Sequence, residues 1–192
     1  MFCGSGSPLW RETDAPAPLN VYVQTKLEGE RLISAACPNH LIFRTSWVYA
    51  ARGGNFAKTM LRLARAREWL SVIGEQFGTP TCAGLLAEVS AHAIRQGFSA
   101  SGGAGLYHLT AAGETSWHGY AKYVLAQAAQ AQSTKTIVLK TVFAVLSSAF
   151  PTRVRRLHNS SLDTSKLQKT FGLNMPQWQS GMARMFSETL ST

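Results

Sequence analysis

Hydrophobic and polar positions divide this chain into alternating helix-like and strand-like segments. After a leading loop that runs to Asn20, the pattern predicts a helix over 21–37, a strand over 40–49, a helix over 54–68, a short strand at 70–74 and a helix over 82–96. The Gly-rich stretch Gly102-Gly103-Ala104-Gly105 reads as a loop before a strand at 105–109, and Thr115-Ser116 is a capping pair for a helix over 115–131. A β-branched run at 136–142, a turn at Pro151 and a helix opening near Thr164 complete the tail. The run His40-Leu41-Ile42-Phe43-Arg44-Thr45-Ser46-Trp47-Val48-Tyr49 has the look of a buried strand with a polar end. The helix over 54–68 is two-faced, with Lys58, Arg62 and Arg65 on one side and Phe56, Met60, Leu63 and Ala64 on another. Strands that alternate with helices predict an α/β fold with a parallel sheet. There is no internal repeat and no low-complexity tract.

Length and composition narrow this only a little. At 192 residues and 45% apolar content the chain suits one compact domain, or one domain and part of another. No apolar run reaches the roughly 18 residues that span a bilayer, and no basic region followed by an apolar core opens the chain. The expectation is a cytoplasmic protein without membrane insertion. Cys3, Cys37 and Cys82 are too widely spaced for a disulfide framework or a zinc site and read as reduced thiols. A net charge of +9, from 19 Lys and Arg against 10 Asp and Glu, gathers around Lys58 to Arg67 and again at Arg153, Arg155 and Arg156. Without a recognition helix or an aromatic platform beside it, this reads as a solvated face or as attraction for a diphosphate substrate, and not as a nucleic-acid site.

The sharpest chemistry lies in Pro18-Leu19-Asn20-Val21-Tyr22-Val23-Gln24-Thr25-Lys26, which Ala15-Pro16-Ala17-Pro18 introduces as a stiff lead-in. Residues four apart share a helical face, so Lys26 can bring its ammonium to the phenol of Tyr22. A nearby cation favours phenolate, and a phenol tuned in this way can donate a proton to the alkoxide formed when hydride attacks a ketone. Ordinary helical pairs share the same spacing, so the pair alone leaves both readings open. The five histidines show no i,i+4 pairing with acidic companions and none is assigned to a metal; His108 reads as a satisfied, half-buried side chain. Glu28 and Glu30 read as exposed helix residues. No Gly-x-Ser-x-Gly elbow or Walker loop supports a hydrolase or an NTPase.

Context decides between the two readings of the pair. Pro18 to Glu30, then Arg44-Thr45-Ser46-Trp47-Val48-Tyr49, then Asn55-Phe56 with Thr59 to Ala64, then Gln76-x-Gly78-x-Pro80-Thr81 follow in order. Gly105 to Leu109, Gly113-x-Thr115-Ser116-Trp117 and Pro151-Thr152 through Arg156, Asn159-Ser160, Leu162-Asp163 and Lys166-Leu167 continue the series. Together they resemble the dTDP-4-dehydrorhamnose reductase family of extended short-chain dehydrogenases, over nearly the whole chain. The resemblance implies the C-terminal two-thirds of an NAD(P)-binding Rossmann-type fold, with a parallel sheet and a small α/β substrate-binding part. Residues 1–50 would be the remainder of the Rossmann-like domain, and 51–192 mainly the substrate-binding part with elements returning to its sheet. It implies reduction of the C4 ketone of dTDP-4-dehydro-6-deoxy-L-mannose to dTDP-L-rhamnose by NADPH or NADH, a step towards cell-surface polysaccharide such as lipopolysaccharide O-antigen. Tyr22 would be the proton donor and Lys26 its cofactor-binding partner, Arg44, Thr45 and Ser46 further cofactor-side residues, and Trp47 and Asn55 substrate-binding residues. Family members are associated with Mg2+ and with homodimers, and no acidic cluster places such an ion.

The chain also departs from the family pattern. No strand followed by a Gly-rich turn opens a helix for a cofactor pyrophosphate. The family's hydroxyl residue falls before Met1, Cys3 stands where Asp is usual, and Val23 replaces the Gly that commonly follows the tyrosine. The chain therefore reads as an N-terminally truncated reductase whose 192 residues alone form a poor or inactive catalyst. The alternatives are a non-catalytic homologue acting as a regulatory or binding subunit, and an inactive remnant.

Overall fold

Asn20 starts the first helix because its extended backbone leaves its side chain free to accept the Val23 N–H at 2.9 Å, an N-cap that satisfies one orphan donor. In a computed structural model, which describes residues 9–97, 103–130, 137–150 and 157–190, this helix is α1, Val21–Ala36. Cys3, Gly102, the turn at Pro151 and the basic residues Arg153, Arg155 and Arg156 lie outside the described residues. Strand β1 (Leu41–Arg44) follows, then β2 (Val48–Tyr49) and α2 (Phe56–Ala64). After β3 (Trp69–Ile73) come β4 (Phe77–Gly78), β5 (Thr81–Cys82) and α3 (Ala83–Gly97). The second half holds β6 (Gly105–His108), β7 (Thr115–Ser116), α4 (Trp117–Gln130), β8 (Thr141–Val145), α5 (Ser165–Phe171) and α6 (Trp178–Leu190).

Among the described residues the strands form pairs, three of them parallel: β1 with β6, β2 with β5, and β3 with β8. The register of the first pair sets Leu41 opposite Gly105 and Arg44 opposite His108. The pair β4 and β7 is antiparallel. Parallel pairing needs helical crossovers, and α2, α3 and α4 supply them, so the α/β class with parallel sheets is as the alternation of segments predicts.

Several boundaries differ from the sequence reading for definite reasons. The run 40–49 is two strands, because Trp47 takes a left-handed backbone (φ 45°) that no continuous strand can contain. The helix expected over 54–68 ends at Ala64, with Arg65 as its cap. The β-branched run at 136–142 enters its strand only at Thr141, since the Ala64 carbonyl accepts from both Val138 and Leu139 and thereby holds that stretch across the end of α2. Thr115 and Ser116 are themselves strand, and Ser116 still caps α4, its hydroxyl accepting the Gly119 N–H at 3.0 Å. Helix α6 was not expected, although Trp178, Met182, Met185 and Phe186 form a buried stripe at helical spacing. Gly172 ends α5 in the left-handed region (φ 61°) that a C-terminal cap requires.

Two apolar cores result. The larger joins α2, α4, α6 and β3 around Met60, Leu70, Val72, Tyr120, Val124 and Met182. The smaller lies under β6, between α3 and α5, around Val89, Tyr107, Leu109, Leu167 and Phe171. Helix α1 contributes no buried residue to either.

Candidate functional site

Tyr22, Lys26 and Glu30 recur every four residues and so share one face of α1. The Lys26 Nζ lies 5.5 Å from the centre of the Tyr22 ring, and the Tyr22 side chain is 70% exposed. One turn further on, Glu30 is not the exposed residue expected: it takes a forked pair of hydrogen bonds from Arg44, from Nε at 3.0 Å and Nη2 at 2.7 Å. The two side chains are only 14% and 8% exposed. Glu28 does face solvent, where it pairs with Arg31.

Arg44 ends β1, and the chain runs on through exposed Thr45, buried Ser46 and half-buried Trp47 along the mouth of a cleft of about 720 Å³. Tyr22, Lys26, Glu30, Arg44, Thr45, Ser46 and Trp47 all line it, with Ser160 opposite. Its position at the carboxyl end of a parallel strand is where open α/β sheets bind ligands. The Ser46 hydroxyl donates to Ser160 Oγ at 3.4 Å, and the Ser160 hydroxyl donates to the Phe77 carbonyl at 2.9 Å. Asn55 stands apart from this group. It caps α2 by accepting the Lys58 N–H at 3.0 Å, and its amide donates to the Ala50 carbonyl at 2.7 Å.

Trp47 is the most constrained residue of the site. Its indole stacks on Trp117 with ring centres 3.6 Å apart and planes 11° from parallel, and Phe56 leans on Trp117 from 4.6 Å. Gly78 lies against the indole edge; a Cβ there would stand 2.7 Å from Trp47 Cε2. A bulky residue at positive φ costs on the order of 1–3 kcal/mol and persists only where its surroundings hold it. Beneath, burial pushes the phenols of Tyr49 and Tyr120 well above the ordinary tyrosine value, so both stay neutral.

On the far side of Arg44, His108 is fully buried. Its backbone N–H donates to Glu12 Oε1 at 2.8 Å, and its Nδ1–H donates to the Trp10 carbonyl at 2.9 Å. Burial holds its pKa below the ordinary histidine value, with Glu12 opposing that shift and Arg44 adding to it. Sequence reasoning took Glu30 for an exposed helix residue, and it held Gly78 and Trp117 only as members of motifs, without a role of their own. The signal that could have found Glu30 is its place eight residues after Tyr22, on the same helical face.

Parallel strand pairs linked by helices, with this cleft at a strand's carboxyl end, define an α/β protein of the Rossmann-type extended short-chain dehydrogenase class. The chain belongs to the RmlD substrate binding domain family, whose profile matches residues 1–191. It is 53% identical over 192 residues to the dTDP-4-dehydrorhamnose reductase of Shigella flexneri, covering all of this chain and 64% of that relative. It thus spans just under two thirds of the length of such curated relatives. The dTDP-4-dehydrorhamnose reductase of Bacillus anthracis, solved in complex with NADP, superposes with a TM-score of 0.86 at 31% identity over 98% of this chain and 62% of the other. The orthologue from Clostridium acetobutylicum gives 0.87 at 30% identity over 97% of this chain and 62% of its own.

Proposed function

We propose that this chain carries the proton-donating and sugar-facing parts of a dTDP-4-dehydrorhamnose reductase, which reduces the C4 ketone of dTDP-4-dehydro-6-deoxy-L-mannose to dTDP-L-rhamnose. The observation that carries the reading is the opening of Tyr22, Lys26 and Trp47 onto one cleft at the carboxyl end of β1. The 53% identity to a reductase of that name supports it. So does the NADP-bound relative of the same fold.

In this reading the ketone oxygen lies at the Tyr22 hydroxyl, which gives its proton to the alkoxide as the C4 carbon is reduced. The Lys26 Nζ lies 5.5 Å from the centre of that phenol ring and would hydrogen-bond the ribose of a bound nicotinamide cofactor. NADPH or NADH supplies the hydride when bound. The indole of Trp47, held flat by Trp117, offers an apolar wall to the C–H face of the hexose and orients the carbonyl. Thr45 and Ser46, in the cleft lining, would offer hydroxyls to the cofactor. Among the described residues no three His, Cys, Asp or Glu side chains come together, so the divalent cation associated with the family has no donor set here and no step runs through it. In the same reading 1–50 is the remainder of the dinucleotide-binding part and 51–192 mainly the substrate part with elements returning to its sheet, and the parallel pairing of β6 with β1 supports that return.

The test is turnover of the dTDP-4-keto sugar with NADPH by the purified protein that contains this chain, followed by loss of reduced-nicotinamide absorbance. Tyr22→Phe is expected to lower kcat by roughly 10²–10⁴-fold while sugar binding persists. Wild-type turnover in the Phe variant would remove Tyr22 from its role. Sugar binding without turnover in the wild type would leave a binding subunit instead.

A further inference from the structure

Among the described residues helix α1 meets the rest of the molecule with little apolar burial, Val23 and Leu27 being only half-buried. Its 16 residues include none that is buried, and Val21, Leu32 and Ile33 are 75%, 62% and 50% exposed. Yet this helix carries Tyr22 and Lys26, whose use in the cleft depends on where their face points. Among the described residues a well-shielded polar tie from that face runs from Glu30 to Arg44. Arg44 is itself anchored in the sheet: it ends β1, pairs in register with His108, and accepts the Leu109 N–H on its carbonyl at 2.8 Å. A planar guanidinium that holds a carboxylate through two of its nitrogens sets direction as well as distance, which a lysine ammonium cannot do.

The pair has an electrostatic consequence too. Glu30 lies one turn from Lys26 on the same face, close enough for an i,i+4 ion pair that would draw the ammonium away from Tyr22. Bound by Arg44, the Glu30 carboxylate is committed to β1, and the Lys26 ammonium stays above the Tyr22 ring. We propose that Glu30 and Arg44 are positioning residues of the reductase: together they orient the Tyr22/Lys26 face of α1 towards the cleft and keep Glu30 from neutralising Lys26. This rests on the reading of Tyr22 and Lys26 as the proton-transfer pair, and it assigns Arg44 a role towards the helix in place of a cofactor contact.

Glu30→Gln, Arg44→Met and Arg44→Lys in the complete enzyme test it with two independent readouts. Amide hydrogen exchange over residues 21–36 is expected to quicken by about tenfold or more in the first two variants while α4 and α6 keep wild-type protection. Steady-state kinetics is expected to show kcat lowered by about tenfold or more with the KM for the dTDP-sugar nearly unchanged, because Trp47 and its support are untouched. Arg44→Lys, which keeps the charge and loses the fork, is expected to fall between. Unchanged kcat, or a fall in activity matched by a fall in folded fraction with no split between kcat and KM, overturns the positioning role. Should the wild type fail to reduce the sugar, the functional reading fails, and the exchange data alone then judge the pair: equal exchange of α1 in wild type and Glu30→Gln overturns it.

Discussion

Trp47 shows how much a single residue can decide. Its positive φ breaks what would be one strand, turns the backbone so that Thr81 N–H can reach the Trp47 carbonyl at 3.2 Å, and lays the indole on Trp117. Gly78 makes room for this, and any Cβ there meets the indole carbon and nitrogen at 2.7 and 2.8 Å. Gly78→Ala is therefore expected to tilt the indole and raise the KM for the dTDP-sugar by about tenfold, since small misplacements of a positioning group cost that much or more. Kinetic constants of the variant check this, and an unchanged KM would show that the wall tolerates movement. Asn55 poses the opposite question, because its oxygen is already committed to the Lys58 N–H. Asn55→Ala is expected to cost about 1 kcal/mol through the lost cap, read as a shifted denaturation midpoint. A larger fall in kcat/KM than in folded fraction would add a substrate contact to that structural duty.

At the level of elements, periodicity made α2 and α4 legible, left α6 unread although it packs on the same core, and did not show how α1 is held. The faces of α2 follow the spacing of Phe56, Met60 and Ala64. Helix α1 was legible from the pattern of its residues and carried the Tyr/Lys spacing, but its attachment through Glu30 and Arg44 pairs residues 14 apart in sequence, and no local pattern reports that. The strand over 141–145 was displaced from its β-branched signal because its register is set by β3, with Trp69 opposite Thr141 and Ile73 opposite Val145. Strand position there is a property of the pair and not of either segment.

Across the whole molecule, His108 ties the leading segment to the sheet. Trp10 donates its N–H to the Ser161 carbonyl at 3.0 Å, accepts from Asp163 N–H at 2.8 Å, and accepts the proton of His108 Nδ1. Burial lowers the His108 pKa from its ordinary 6.5, so the unfolded chain binds the proton more readily than the native one. Its contribution to stability is thus fully present above about pH 6.5 and is lost as pH falls from there through the lower folded-state value. Melting temperature measured from pH 8 down to pH 5 is expected to drop in the wild type and to drop less in His108→Asn, whose amide can still donate to the Trp10 carbonyl. Equal slopes would show that other groups set the acid limit.

The sequence by itself determined the α/β class, the order of most elements and the shared helical face of Tyr22 and Lys26, because periodicity, caps and i,i+4 spacing are local consequences of backbone geometry. Only the tertiary structure decided that Trp47 leaves its strand to stack on Trp117, that Gly78 must lack a side chain, and that Glu30 belongs to Arg44 and not to solvent. Each of these depends on which distant surfaces meet, and the energies that select them arise only when the chain has closed on itself.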